Sequence, residues 1–525
     1  MRKNYNKYIG IALLGVSLLS TTSCNDYLDK TPDNRMELKN PSEVSKLLVA
    51  AYPEFHPAYL LEMYSDNTDE NTRTGWTEYN KFQGQAYRWE DITETGDRET
   101  PKLQWSSHYE AVATANIALD FIDRQSNKSL YASQKGEALM CRAYAMFELA
   151  NVFCRAYDKT TADQELGLPY PIHEDNEITK KYERGTLAQL YAKIDEDIQA
   201  GLPLVSNEYS QPKFHFTQNA ANAFAARFYL YYQQYDKAIT YATKVLGSNP
   251  NSVLRDWKTW GNLSINYDIQ PNQYISTSEN ANLLLRVTTS NWGGICGPYS
   301  IGSKYAHGRM ISVYETLQSN GPWGNSEDTF NYRVWSNDEL SKYCIRKIPY
   351  TFEYTDIQAG IGYPHSEIAD FTTDQLLLER AEAYALKGDY AKAVADINSE
   401  LKAFSKESVQ LTLDQIKAYY SHIDYYKPDM PSVKKKFHTS FAIDQDTQEP
   451  LLQCILHLKR IITIHDGTRL QDVKRYGMTI YRRNIYNVSV VKEVTDSLTA
   501  DDPRQAIQLP QEQISVGLTP NPRLK

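Results

Sequence analysis

Basic charge is in short supply in this chain. Its 56 Lys and Arg are outnumbered by 65 Asp and Glu, for a net charge of -9. That excludes a nucleic-acid grip, because no basic stripe is available to displace phosphate counterions. Long apolar runs are also missing. Ile9 to Leu19 is only 11 residues long, whereas a helix that crosses a bilayer takes about 20. Cysteine is sparse: Cys24, Cys141, Cys154, Cys296, Cys344 and Cys454, with no Cys-x-x-Cys pair and no zinc-like spacing. Without Cys24 an odd five remain, so a disulfide framework is not expected; Cys141 and Cys154, on an apolar helical stretch, read as small hydrophobes. Signatures of covalent chemistry are lacking as well. There is no His-Glu-x-x-His helix, and Gly297 to Gly302 has the wrong spacing for a nucleophile elbow. Gly297 to Lys304 ends Gly-Ser-Lys where a phosphate loop needs Gly-Lys-Ser/Thr.

What is present starts with the first 23 residues. Arg2, Lys3 and Lys7 precede the short apolar run, and Ser20 to Ser23 are small or polar. This is the layout of a secretory signal, 1–23. Cys24 follows at once. A cysteine placed there is the acceptor for lipid, because its thiolate is the nucleophile, and two or more acyl chains anchor a protein stably. The mature protein is therefore expected to begin at a lipidated Cys24.

The rest reads as one body, 24–525, in three stretches. In 24–248 helical periodicity dominates: Pro41 to Tyr52, Ser107 to Arg124, Glu137 to Tyr157 and Leu187 to Gly201 each carry an apolar stripe. Two segments repeat at an offset of 155 residues. Ala226, Tyr229, Tyr235 and Ala238 match Ala381, Tyr384, Tyr390 and Ala393. Each reads as helix, turn, helix, with small Ala letting the helices approach and Tyr filling the gap, which is the tetratricopeptide pattern. Gly388-Asp389 breaks the second copy; Gln233 stands in the place of that Gly in the first. Between the copies, 249–371 is an irregular insertion rich in Gly, Asn, Ser, Tyr and Trp, with one weak strand at Leu283 to Thr288. Such a long insertion is functional or disordered, and its aromatic content argues against disorder. The third stretch, 372–525, holds the second repeat and a mixed region whose best helix is Leu451 to Ile462.

Several segments, taken in order, resemble the SusD/RagB lipoproteins of Bacteroidetes. They are Cys24-Asn25-Asp26-Tyr27-Leu28-Asp29-Lys30-Thr31-Pro32; Trp105, Tyr109, Ala115 and Asn116; Gly136-Glu137-Ala138 with Arg142-Ala143-Tyr144; Gly467, Arg469, Asp472 and Arg475; and Leu509-Pro510 through Asn521-Pro522. The residues around Arg333 depart from the Asp-Pro-Arg of many members, and Gln513 replaces a Glu. The resemblance implies an all-α scaffold of tetratricopeptide-like helix pairs with a large loop-rich insertion carrying the ligand face. It implies an outer-membrane lipid anchor facing the cell exterior and a SusC-like TonB-dependent β-barrel as partner. It implies binding without covalent chemistry or cofactor.

The composition suggests where a ligand would sit. The chain has 40 Tyr and 8 Trp, and no Trp follows Trp335. Trp105 reads as core. Trp76, Trp292 and Trp323 lie among Gly, Asn, Ser and Thr, and with Tyr79, Asn291 and Tyr299 they are the expected ligand face, since sugar C–H faces stack on aromatics while polar groups take the hydroxyls. The other expectation for these Trp is that each packs its own loop. Asp66 to Asn71 reads as a solvated loop, with a structural calcium site as the lesser reading. A glycan ligand is the first reading. Peptide capture, a surface hydrolase and a lid without affinity of its own are the alternatives.

Overall fold

The computed structural model describes residues 38–71, 75–174, 182–266 and 268–523. The signal segment, Cys24 and the opening through Pro32 lie outside the described residues.

Helices form the body, and their ends follow from local chemistry. Thr100 caps the Pro101–Asp123 helix by accepting from the Leu103 amide, with Pro101 at the first helical position. This start lies six residues ahead of the expected Ser107, so Trp105 falls inside the helix and is buried. Thr186 and Gln189 form a reciprocal capping box that starts Leu187–Gly201, the span expected from its periodicity. The long apolar helix is Ala132–Phe153, and Pro41–Leu48 continues into one 3-10 turn at Val49–Ala51.

The repeat is real. Gln218–Tyr231 pairs with Tyr235–Leu246, and Thr373–Lys387 pairs with Tyr390–Phe404. Ala226, Ala238, Ala381 and Ala393 are all buried at the close approaches. Both turns need a left-handed residue. Gly388 supplies it with φ 83°, and Gln233 adopts φ 59° in the first copy. The two pairs pack through helices 235–246 and 373–387, and the latter also rests on Gln448–Ile462.

Among the described residues a three-stranded sheet, a four-stranded sheet and two short hairpins add to the helical scaffold. Asn282–Thr289, Ile361–Thr372 and Thr351–Asp356 form an antiparallel sheet with 361–372 in the centre and 351–356 at a free edge. The first strand matches the weak alternation at Leu283 to Thr288. The second was not legible as a strand, because its C-terminal half is buried on both faces, through Ile368, Ala369, Asp370 and Phe371, and a doubly buried strand has no period of two. The other sheet joins the chain's ends: Ile480–Tyr486 pairs parallel with Asp69–Asn71 and antiparallel with Val490–Leu498.

Asp66 to Asn71 is not a solvated loop. Asp66 is buried against Arg469 at 2.7 Å and Arg460 at 3.5 Å, and Asp69 against Arg483 at 2.8 Å. Arginines already neutralise these carboxylates. The segment Gly467, Arg469, Asp472, Arg475 is part of the same framework. Gly467 has φ 79°, and a Cβ there would lie 2.5 Å from Ala58 Cα. Arg469 grips Asp66, Asp472 accepts from Lys459 at 2.7 Å, and Arg475 bonds Glu382. Asn521 near the C-terminus donates to the carbonyls of Phe153 and Ile507. The five described cysteines are unpaired, and Cys141 and Cys154 are buried.

Candidate functional site

Besides surface openings of about 750 Å³ beside Tyr390 and Leu411 and about 480 Å³ beside Tyr157 and His438, two openings adjoin the strand Ile361–Thr372. One is interior, about 50 Å³, lined by His56, Tyr144, Glu148, Arg227, Asp370 and Asp466. Its charges are spent on one another: Arg286 meets Glu148 at 2.8 Å and Asp370 at 3.1 Å, and His56 meets Asp370 at 2.9 Å. Ligand sites occupy about 300–1,000 Å³, so this cavity has room for a few waters and no saccharide.

The other opening is a surface cleft of about 520 Å³ lined by Glu54, Phe55, Arg98, Thr289, Tyr363 and His365, with Val287 at its edge. The sheet builds it. Tyr363 and His365 are two apart on one strand and so share a face, and their cross-strand partners Glu353 and Thr351 share it too. Thr289, the last residue of its strand, lies opposite His365 from the other side. His365 Nε2 and Glu353 Oε2 are 2.7 Å apart. The Arg98 guanidinium sits 5.6 Å from the centre of the Tyr363 ring.

The wall beyond Thr289 is held by a buried carboxyl. Glu99 Oε1 accepts from Ser290 Oγ at 2.9 Å and from the Asn291 amide at 2.7 Å. Burial, with Asp97 beside it, pushes the Glu99 carboxyl well above the usual range. Asp97 in turn accepts from Asn80, which caps the Lys81–Tyr87 helix and follows Tyr79 directly. After Asn291 comes the short Trp292–Cys296 helix. A Cβ on Gly293 would lie 2.2 Å from the Pro349 carbonyl, and one on Gly294 would lie 3.2 Å from the Tyr350 ring. The two glycines therefore let Tyr350 lie against this helix, where its ring centre is 5.5 Å from that of Tyr299. Tyr79, 40% exposed, stands within electrostatic reach of Tyr350 and Arg98. Burial, then Asp97 and Glu99, raise its phenol pKa.

The expected ligand face is thus only partly assembled. Tyr79 and Tyr299 lie near Tyr350, and the Asn291 amide bonds Glu99 beside the cleft, but none of the three lines it. Trp76 is half-buried, and its indole donates to the Glu339 carbonyl at 3.0 Å, beside the Trp335–Asn337 and Lys342–Cys344 hairpin. Trp292 and Trp323 offer no ring to solvent. Trp292 is 3% exposed, stacked on Tyr59 at 5.1 Å and donating to the His465 carbonyl at 2.7 Å. Trp323 is 7% exposed, donates to Ser326 Oγ and packs 4.9 Å from His457. Their polar neighbours in sequence suggested surface loops, but each indole N–H found an internal acceptor, which removes the cost of burying it. Arg98, Tyr350, Tyr363 and His365 were missed. The alternation Tyr363-x-His365 was the one local signal, and it carries meaning only once the strand is known.

Comparison with known proteins agrees with this architecture. Residues 26–230 match a family of SusD-like proteins described as starch-binding and associating with the outer membrane. A SusD-like protein of Formosa agariphila is 26% identical over 274 residues, 51% of this chain and 51% of that protein, so the match spans about half of the relative's length. A SusD superfamily protein of Bacteroides fragilis superimposes with a TM-score of 0.63 at 17% identity, covering 91% of this chain and 98% of that one. A laminarin-binding SusD-like protein gives 0.52 at 15% identity, covering 92% and 100%. The chain is thus similar in sequence to the SusD-like family over residues 26–230, and it shares the fold of SusD superfamily proteins over nearly all its length.

Proposed function

We propose that this protein captures oligosaccharides at the cell exterior through the cleft of Arg98, Tyr363 and His365, with Tyr350 and Tyr79 nearby, and delivers them to a SusC-like TonB-dependent β-barrel, while a lipid on Cys24 holds it to the outer membrane. The observation that carries the binding reading is the cleft itself: an exposed opening of about 520 Å³ in which Tyr363, Arg98 and His365 converge. Tyrosine faces take the C–H faces of sugar rings, and the polar groups fix orientation. The laminarin-binding relative and the starch-binding description of the family support a glycan as ligand. The family's association with the outer membrane supports the anchor and the barrel partner. Binding without turnover is the corresponding reading of the chemistry.

The test is calorimetric titration of the soluble form that starts after Cys24 against an oligosaccharide panel. Tyr350→Ala and Tyr363→Ala are expected to weaken the glycan signal. A signal that both variants leave unchanged would place the ligand elsewhere. Co-purification of a TonB-dependent barrel with the full-length protein, and loss of membrane attachment on Cys24→Ser, test the partner and the anchor. A second reading, peptide capture, is favoured by one feature: the free edge of strand Thr351–Asp356, because an extended chain can add to such an edge. A mixed peptide digest in the same titration separates the two.

A further inference from the structure

Arg98 stands apart from every other arginine among the described residues. Each of the others donates at least one hydrogen bond to a side chain or a carbonyl. The guanidinium of Arg98 makes only its contact with the face of Tyr363, at 5.6 Å. It is half-buried and lines the surface cleft. A ring face takes none of the N–H groups in a conventional hydrogen bond, so the donor fork is unspent.

The carboxylates around it are already engaged. Glu353 is paired with His365 at 2.7 Å. Glu54 Oε1 accepts from Thr289 Oγ1 at 3.3 Å. Asp97 accepts from Asn80 and from the Glu99 amide, and the Glu99 carboxyl bonds Ser290 and Asn291. Glu54 lines the cleft and the other three lie near it, and none of the four pairs with Arg98. The donor fork that the protein leaves unspent thus faces the space where a ligand would lie, with the Tyr363 ring at its side. A planar guanidinium fork matches a carboxylate in a two-point contact, which a neutral hydroxyl cannot equal in strength.

We propose that Arg98 receives the carboxylate of an acidic sugar, so that the ligand of this cleft is a uronate-bearing oligosaccharide. This rests on the glycan reading and narrows it. The sugar ring next to the carboxylate stacks on Tyr363 or Tyr350, and Arg98 selects the acidic residue over its neutral counterpart.

The experiment is calorimetric titration of the soluble form with oligogalacturonate, alginate and glucuronoxylan oligomers and with the matching neutral galacto-, manno- and xylo-oligosaccharides. At least one acidic oligomer is expected to bind more tightly than its neutral match, and more weakly as salt is raised. Arg98→Gln is expected to reduce that affinity at least about tenfold, the scale of a lost charged hydrogen bond, and Arg98→Lys less. Because Arg98 makes no hydrogen bond or ion pair in the protein and only a ring contact with Tyr363, both variants should stay close to the parent's thermal midpoint. Neutral oligomers bound as tightly as acidic ones, acidic binding indifferent to Arg98→Gln, or Arg98-dependent binding of peptides alone would each overturn the proposal. A neutral glycan that needs Tyr350 and Tyr363 but not Arg98 would overturn this inference and leave the glycan reading standing; silence from every sugar would remove both.

Discussion

Asp66 and Arg469 meet through two hydrogen bonds, at 2.7 and 2.9 Å, across 403 residues of chain. The pair is buried, and Arg460 and Lys435 reach the same carboxylate at 3.5 Å. With Asp69 and Arg483, it ties the first described segment to the last third of the chain. Removing one partner leaves the others as uncompensated buried charge. Asp66→Asn is expected to cost about 3–5 kcal/mol, read as a lower denaturant midpoint with an unchanged slope.

Glu382 sets part of the acid limit. Burial disfavours its charge, but Arg475 and Lys459 outweigh that and hold its pKa down at about 2, against the usual 4.5. A group depressed in the fold contributes stability above its unfolded pKa and loses it as pH falls through the folded one. Stability should therefore decline between pH 4.5 and about 2, by about 3 kcal/mol from this group. Glu382→Gln should be less stable at pH 7 and show a flatter acid limb in pH-dependent denaturation.

Glu62 works in the opposite sense. Burial raises its pKa to about 7, although Asn67 and the Gly467 amide donate to it. A raised carboxyl costs stability as pH climbs from 4.5 to about 7. The stability of Glu62→Gln relative to the parent should rise across that window by about 3 kcal/mol and then level off. A constant difference across that range would mean that Glu62 is ionised throughout.

Trp292 and Tyr79 separate core from ligand face. Trp292→Ala should destabilise by about 3–5 kcal/mol, as a large buried side chain does. Tyr79→Ala should leave stability within about 0.5 kcal/mol and weaken glycan binding by about three- to tenfold. Thermal denaturation and calorimetry on the two variants give the four numbers.

The turns of the two repeats differ by one residue type at the same left-handed position. Gln233→Gly should raise stability by up to about 1 kcal/mol, and Gly388→Gln should lower it by about 1–2 kcal/mol, measured by equilibrium denaturation.

The helical repeat was legible because Ala226, Tyr229, Tyr235 and Ala238 recur in Ala381, Tyr384, Tyr390 and Ala393, and because spacing along a helix converts directly into a face. The strand 361–372 was not, since its buried half carries no alternation. Of the expected ligand face, Tyr79 and Tyr299 lie near Tyr350 and Asn291 bonds Glu99, whereas Trp292 and Trp323 turned inward to acceptors at His465 and Ser326. Polar flanking residues report composition near an aromatic, and they are silent on whether its N–H finds an internal partner.

The amino-acid order alone therefore determined what depends on neighbours in sequence: the amphipathic helices, the paired repeats and the likeness to the SusD-like proteins. Tertiary structure decided what depends on groups far apart in the chain. Asp66 became half of an ion pair because Arg469 folds onto it. Arg98 became an unspent cation because strand 361–372 brings Tyr363 beneath it while each nearby carboxylate finds another donor. Local propensity is a property of a few consecutive residues, whereas a charge is satisfied or left open only by whatever the fold places next to it.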